Sequence, residues 1–388
     1  MSRVDVVVVG GRVAGASTAM LLARAGLSVA LLDRGRRGSD TLSTHALMRA
    51  GVLQLSRWGV LADVVAAGTP AVRRTVFHHN DGEDVSVSIR PRAGVDALYA
   101  PRRHLLDRLL VEAAEDAGVH VLHEATVTSL RRDPTGRVTG VVGRTSSGTT
   151  IDVAAGLVVG ADGIRSRVAE EVGAATTWQG RTASAVLYRY VEDPGPDAYE
   201  WTYGTGAAAG VIPTNGWASC LFVSTTPVRM RRLRRLGVEP AFAELLAAAG
   251  PAAVERVRAV RPLSPVRGWA GVPGFARRSS GPGWALVGDA GYFKDPITSH
   301  GMTDALRDAE LLATEVLAAH GGVPEDVAMA RYEETRERLS RQLAETTERV
   351  AAYDWDTPGI RSLLRRLSSA MGEEVEHLES LDLLGIAT

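Results

Sequence analysis

Val4 to Val9, followed by Gly10-Gly11-Arg12-Val13-Ala14-Gly15, constrains this chain more than any other stretch. A β-branched run bounded by glycine fits a strand buried on both faces of a parallel sheet. Residues from about Ala16 to Ala25 then keep helical spacing, Gly26 stops them, and Ser28 to Leu32 forms a second buried strand ending at Asp33. This is a βαβ unit whose acidic residue stands where dinucleotide sites place one. The strand-to-helix turn offers unpaired N–H groups and the positive end of a helix to a pyrophosphate. Gly10 permits the tight turn and Gly15 the close helix–strand packing, while Arg12 replaces the usual middle glycine. Its guanidinium either points away from the phosphates or folds over them. Taken alone, the loop also fits a glycine-rich turn in any α/β protein. Asp33, placed to accept from ribose hydroxyls, narrows that reading.

Two later strand ends repeat the theme. Leu157 to Val159 runs into Gly160-Ala161-Asp162-Gly163, and Asp162 either serves a cofactor or caps the helix expected from Ser166 to Val172. Trp284 to Val287 runs into Gly288-Asp289 and on through Lys294-Asp295-Pro296 to His300-Gly301-Met302. Between these lie a helix from Leu47 to Ala67, a hairpin of Val72 to Phe77 and Val85 to Ile89 around Asn80-Asp81-Gly82, and a helix from Arg103 to Ala117. A strand follows from Val119 to Leu122, then a meander of Val127 to Leu130, Val138 to Val142 and Thr150 to Val153. Residues 175–275 read as short aromatic strands with one helix near Pro240 to Ala249. After Gly301 the pattern is helical: Met302 to Ala319, Pro324 to Ala352, and from Pro358 onward. Nucleotide-type segments at the start, middle and end imply one lobe with a second inserted through it.

Composition removes several classes. The single cysteine, Cys220, forms no internal disulfide, CxxC pair or thiolate cluster. A net charge of −1 recruits neither nucleic acid nor an acidic membrane. No apolar run approaches the roughly 20 residues of a membrane span. The strand pattern begins at Val4, so a signal peptide is not expected, and the expected location is cytoplasmic. Apart from Lys294, every basic residue of the Lys and Arg class is arginine. That is the mark of a GC-rich genome, so arginine clusters carry little weight; Arg229, Arg231, Arg232, Arg234 and Arg235 read as a solvated face in preference to a phosphate site for a nicotinamide cofactor.

The three strand-end segments, in this order and spacing, resemble the FAD-dependent oxidoreductases of the para-hydroxybenzoate hydroxylase fold, a superfamily that includes aromatic monooxygenases, flavin halogenases and geranylgeranyl reductases. The resemblance covers the chain to about residue 320. It implies an α/β fold: a Rossmann-like FAD-binding lobe (1–70, 99–174 and 276–320), an inserted β-sheet substrate lobe (71–98 and 175–275), and C-terminal helices (321–388). It implies FAD held by Gly10, Arg12, Val13, Ala14, Gly15 and Asp33 at the ADP half, with Arg34 and Val127 also among the cofactor-binding residues. Thr44, His45, Asp162, Gly163, Gly288, Asp289, Pro296, Gly301 and Met302 then serve the flavin half, with Asp289 on ribityl hydroxyls and the Gly301–Met302 N–H groups facing the pyrimidine edge. Arg103, opening its helix, matches the superfamily's arginine, with Arg102 as fallback. NADH or NADPH is implied as a transient co-substrate, because no second glycine loop is present.

Departures matter too. Ala169 and Tyr292 stand where the superfamily often has arginine and histidine. The halogenase Trp-x-Trp-x-Ile-Pro stretch is replaced by Ala208-Ala209-Gly210-Val211-Ile212-Pro213, and no early lysine is present, which disfavours halogenation. Candidate catalytic residues are His300, Lys294 and His45. His300 is a proton donor or an N-terminal cap, and Lys294 is a cation beside the flavin or a surface partner of Asp295. Trp201, Tyr203, Ile212, Pro213 and Phe222 are the candidate substrate pocket, with Trp217 considered alongside them. The expected function is an NAD(P)H-using monooxygenase or reductase acting on a small organic, natural-product-like substrate, as monomer or homodimer. A dedicated FAD or alkene reductase and a flavin-binding non-enzyme are the competing readings.

Overall fold

Val4–Val9 lies inside an eight-stranded sheet in the computed structural model, which describes residues 3–79, 81–193, 198–258 and 260–381. The sheet runs Ser280–Gly281, Trp284–Leu286, Thr150–Gly160, Val4–Val9, Val29–Leu32, His120–Leu122. Its central pairs are parallel, as β-branched runs without alternation require. Thr150–Gly160 corrects the expectation of two strands. Its first half pairs antiparallel with Val138–Thr145 and its second half parallel with Val4–Val9, so one strand serves both the meander and the central sheet. The expected helix from Leu47 to Ala67 is two, Arg49–Arg57 and Leu61–Ala66, broken where Gly59 takes φ +76°. Asn80, at the expected hairpin tip, lies outside the described residues; the flanking strands Arg74–His79 and Val85–Ser88 do pair antiparallel.

The second sheet is also eight-stranded and is built mainly from Ala185–Glu192, Ala198–Gly204, Ala207–Thr214 and Ala218–Thr225, joined by Arg74–His79. Alternate residues of a strand face opposite sides, and here the two faces differ in kind. Tyr188, Tyr190, Tyr199, Trp201, Tyr203 and Phe222 belong to the main core shared with the first sheet. Leu187, Val191, Val211, Leu221 and Val223 pack instead under helices Pro227–Leu233, Val238–Ala249 and Pro251–Arg258. Only the middle helix was expected.

Gly301–His320 packs between Val13–Arg24 and the long helix Glu325–Val350, and Thr357–Ser380 closes that side, its N-terminus capped by Asp356. No helix among the described residues is long and apolar enough to cross a membrane. Cys220 is fully buried, and burial pushes its thiol up to about 12. The native protein is therefore expected to leave a thiol reagent such as dithionitrobenzoate unreacted, while urea-unfolded chain consumes it. Rapid native labelling would show that the aromatic face opens readily.

Candidate active site

At the first strand end, backbone rather than side chains shapes the turn. Gly10 has φ +109°, and a Cβ on Gly15 would sit 1.8 Å from the Gly10 carbonyl oxygen, so no larger residue fits. The helix starts at Val13 with Arg12 at its N-cap and no side-chain cap, and Val13 and Ala14 are buried in its first turn. The Asp33 carboxylate accepts from Gly11 N and Gly35 N, both at 2.5 Å, which fixes the loop at the mouth of the cleft. That cleft is lined by Gly11, Arg12, Asp33, Arg36, Asp107 and His123, among others. Arg103 forks onto Asp107 at 3.0 and 3.1 Å, and Arg12 approaches the same carboxylate at 4.0 Å. His123 went unnoticed in the sequence; both its ring nitrogens are buried without partners. Arg34 is exposed, and neither it nor Val127, buried on Ala125–Arg132, lines the cleft.

The two other strand ends look alike in sequence and differ in the structure. Asp162 is already engaged: it accepts from Ser166 Oγ at 2.5 Å, Arg167 N at 2.6 Å and Val168 N at 3.2 Å, capping the short helix Arg167–Glu171 beyond Gly163. Asp289 has no hydrogen-bond partner among the described residues. Burial raises its pKa to about 6, while Arg103 and Lys294 pull it the other way. Gly288 holds φ +55° with its Cβ position 2.9 Å from Ala14 Cβ, which seats Asp289 against the glycine-loop helix. Farther on, Asp295 accepts from Ile297 N at 2.9 Å and Ser184 N at 2.5 Å, fixing the turn Pro296–Thr298. Ser299 takes φ +50°, and its hydroxyl lies 3.2 Å from that of Thr44. Gly301 opens the next helix, exposed, with nothing within 4 Å of its Cβ position; Met302 beside it is half-buried.

Two expectations for catalytic side chains change here. Lys294 is not a surface partner of Asp295; it is buried and its ammonium pairs with Asp304. Burial, then Arg307, draws its pKa down to about 7. His300 stands at the N-cap of Gly301–His320 but its side chain makes no capping bond; its Nε2 meets Glu374 Oε2 of the C-terminal helix at 2.7 Å, inside a buried network with Asp304, Arg307 and Asp308. His45, fully buried, meets Tyr190. Trp201, Tyr203, Ile212 and Phe222 share the inward aromatic face. Pro213 is half-buried on the alternate parity, and Trp217 is 80% exposed at a turn, so neither joins that face. Tyr188, Tyr190 and Tyr199 do join it and were missed. The arginines at 231, 232, 234 and 235 are exposed, and Arg229 donates to the Thr205 and Gly206 carbonyls. At Gly210 the Phe222 ring comes within 2.5 Å of the Cβ position, filling the space a side chain there would need.

A model of the FAD binding domain matches residues 3–347. The chain belongs to this FAD-binding family. Its relatives include the digeranylgeranylglycerophospholipid reductase of Methanothrix thermoacetophila, 26% identical over 370 residues that span 88% of this chain and 85% of the relative. Another is the ubiquinone hydroxylase UbiL of Rhodospirillum rubrum, 28% identical over 406 residues, 97% of this chain and 88% of the relative. In architecture it matches a triple mutant of the flavin-dependent brominase Bmp2, with a TM-score of 0.82 at 17% identity over 99% of this chain and 97% of that one. That similarity carries the α/β fold along nearly the full length matched. The residues present fit FAD: a glycine cradle no side chain can enter, a cleft beside Asp33, an unpartnered carboxylate at Asp289 and open space before Gly301.

Proposed function

We propose that this FAD-binding protein takes electrons from NADH or NADPH and delivers them at a small organic substrate lying on the aromatic face of the second sheet. One observation carries the reading: Thr44 touches Ser299, two residues before Gly301, while the adjacent His45 touches Tyr190 on the aromatic face. The flavin-side turn and the aromatic face thus meet across one loop. Residues 1–70, 99–174 and 276–320 are read as the FAD lobe, and 71–98 and 175–275 as the substrate lobe.

Bound FAD would supply the two-electron chemistry. The chain's own residues hold and shape the site. The N-terminus of Val13–Arg24 favours the pyrophosphate, and Asp289 accepts from polyol hydroxyls. Backbone N–H groups at the start of Gly301–His320 favour negative charge at the edge they face. The aromatic side chains exclude water from the reacting atoms. A hydroxylase and a reductase among the relatives support both oxygen insertion and double-bond reduction as reaction classes.

Anaerobic mixing of the FAD-loaded protein with NADPH, then NADH, is expected to bleach the flavin band, faster when a substrate from a panel of phenols, quinones and polyprenyl lipids is present. Oxygen-18 in the product then marks a monooxygenase, and a reduced, unlabelled product marks a reductase. If no nicotinamide donor bleaches the flavin with any panel member, the enzymatic reading falls in favour of a flavin-binding non-enzyme.

A further inference from the structure

The junction between the loop at residues 40–45 and the aromatic face carries a polar group that the cofactor does not account for. His45 Nε2 lies 2.5 Å from Tyr190 Oη, and the rings stack with centroids 5.7 Å apart. His45 holds φ +68°, a left-handed conformation uncommon for non-glycine residues, although histidine is among those that tolerate it, and one found at functional sites. The Arg102 guanidinium sits 3.7 Å above the Tyr190 ring and is held by Asp40 at 3.0 Å. Cys220, opposite Tyr190 in the ladder, packs its sulfur 4.0 Å from the Ser43 carbonyl. Ser43 and His45 flank Thr44, whose hydroxyl meets that of Ser299.

The proton count in this group is informative. Burial, with Arg102 and Arg103 adding to it, drives the His45 pKa down to about 3, and Asp40 does not reverse that. The imidazole is therefore neutral, with one N–H. Its Nδ1 is buried without a partner. Without a ligand either tautomer leaves one buried donor unmatched, His45 Nδ1–H or the phenol O–H; a ligand oxygen at Tyr190 selects the tautomer with the hydrogen on Nε2, which donates to the Tyr190 oxygen and leaves no donor unmatched. The phenol's own hydrogen then goes to that ligand, since it has no acceptor among the described residues. A donor to its oxygen and a cation over its ring both strengthen that O–H as a donor.

We propose that the Tyr190 hydroxyl is the hydrogen-bond donor that holds an oxygen of the substrate, a ring carbonyl or phenolate, with His45 as its positioning residue. The assignment rests on the substrate occupying the aromatic face, as proposed above. It restricts that face to ligands carrying a hydrogen-bond-accepting oxygen, as a quinone does, and gives no advantage to plain hydrocarbons.

The test uses the FAD-loaded protein and two probes of similar shape, 1,4-naphthoquinone and naphthalene, titrated while the flavin absorption band is followed. Tyr190→Phe is expected to weaken naphthoquinone binding about tenfold, the scale of one lost polar contact, and to leave naphthalene binding unchanged. His45→Asn, which tolerates the left-handed backbone, should weaken naphthoquinone in the same direction and leave naphthalene unaffected. Melting temperature and the yellow flavin spectrum check that both variants stay folded and loaded. If both probes bind wild type and Tyr190→Phe does not distinguish them, the donor assignment falls while the substrate face stands. If neither probe perturbs the flavin of the wild type, the substrate face itself falls, and the donor assignment with it.

Discussion

Arg307→Ala is expected to lower the unfolding free energy by about 3–5 kcal/mol, the range for stripping a buried charge of its partner. Arg307 is fully buried on Gly301–His320. Its Nη1 reaches Asp304 at 3.0 Å and Glu374 at 2.9 Å, and its Nη2 reaches Asp308 and Ser340 at 2.9 Å each. Alanine would leave those carboxylates facing one another with Lys294 as the remaining basic side chain, besides His300. Arg307→Lys keeps the charge and loses the fork, so an intermediate loss is expected. Urea unfolding checks both, and an unchanged midpoint in Arg307→Ala would show that the network contributes nothing. Glu374 adds a pH signature. Burial opposes its ionisation, yet His300 and Arg307 together hold its pKa at about 2, below the ordinary 4.5. A depressed folded pKa means the stabilisation is present above pH 4.5 and is lost as pH falls toward 2. Glu374→Gln should flatten that acid limb of the stability curve.

The βαβ unit was legible because periodicity and glycine spacing are local properties. The pairs that organise the site are not. His45 meets Tyr190 across 145 positions, and His300 meets Glu374 across 74, so no spacing announces either. Lys294, the lone lysine, was conspicuous by composition, but its burial and its partner Asp304 depend on how two elements pack. The helices Pro227–Leu233 and Pro251–Arg258 did carry a signal, a proline in the first turn, with Thr226 as N-cap of the former. Their brevity hid it among turns. Thr150–Gly160 reads as two strands because its pattern changes near Gly156, where the ladder switches partners.

Cofactor retention should depend most on Asp289, and this separates two carboxylates that the sequence presents as equivalents. Asp162 has spent its oxygens on Ser166, Arg167 N and Val168 N. Asp162→Ala should therefore act as the loss of a helix cap, about 0.5–2 kcal/mol of stability, with FAD affinity moving only a few-fold. Asp289 has no hydrogen-bond partner among the described residues to lose, only the nearby charges of Arg103 and Lys294. Asp289→Asn should weaken FAD by about 1.5–3 kcal/mol, the worth of a hydrogen bond to a charged acceptor, or roughly ten- to a hundredfold in Kd. The pH dependence carries the stronger test. Burial raises the Asp289 pKa to about 6, so the proton competes with hydroxyl donors. Wild-type affinity should fall as pH drops through that value, and the Asn variant should show no such fall. Stability moves in the opposite sense. A carboxyl whose folded pKa is raised favours the fold while protonated, and loses that advantage as pH rises through about 6. At neutral pH the FAD-free Asp289→Asn protein should accordingly melt higher than FAD-free wild type while binding FAD more weakly. A variant that melts lower and binds FAD as wild type does would make Asp289 a structural carboxylate and remove it from the site.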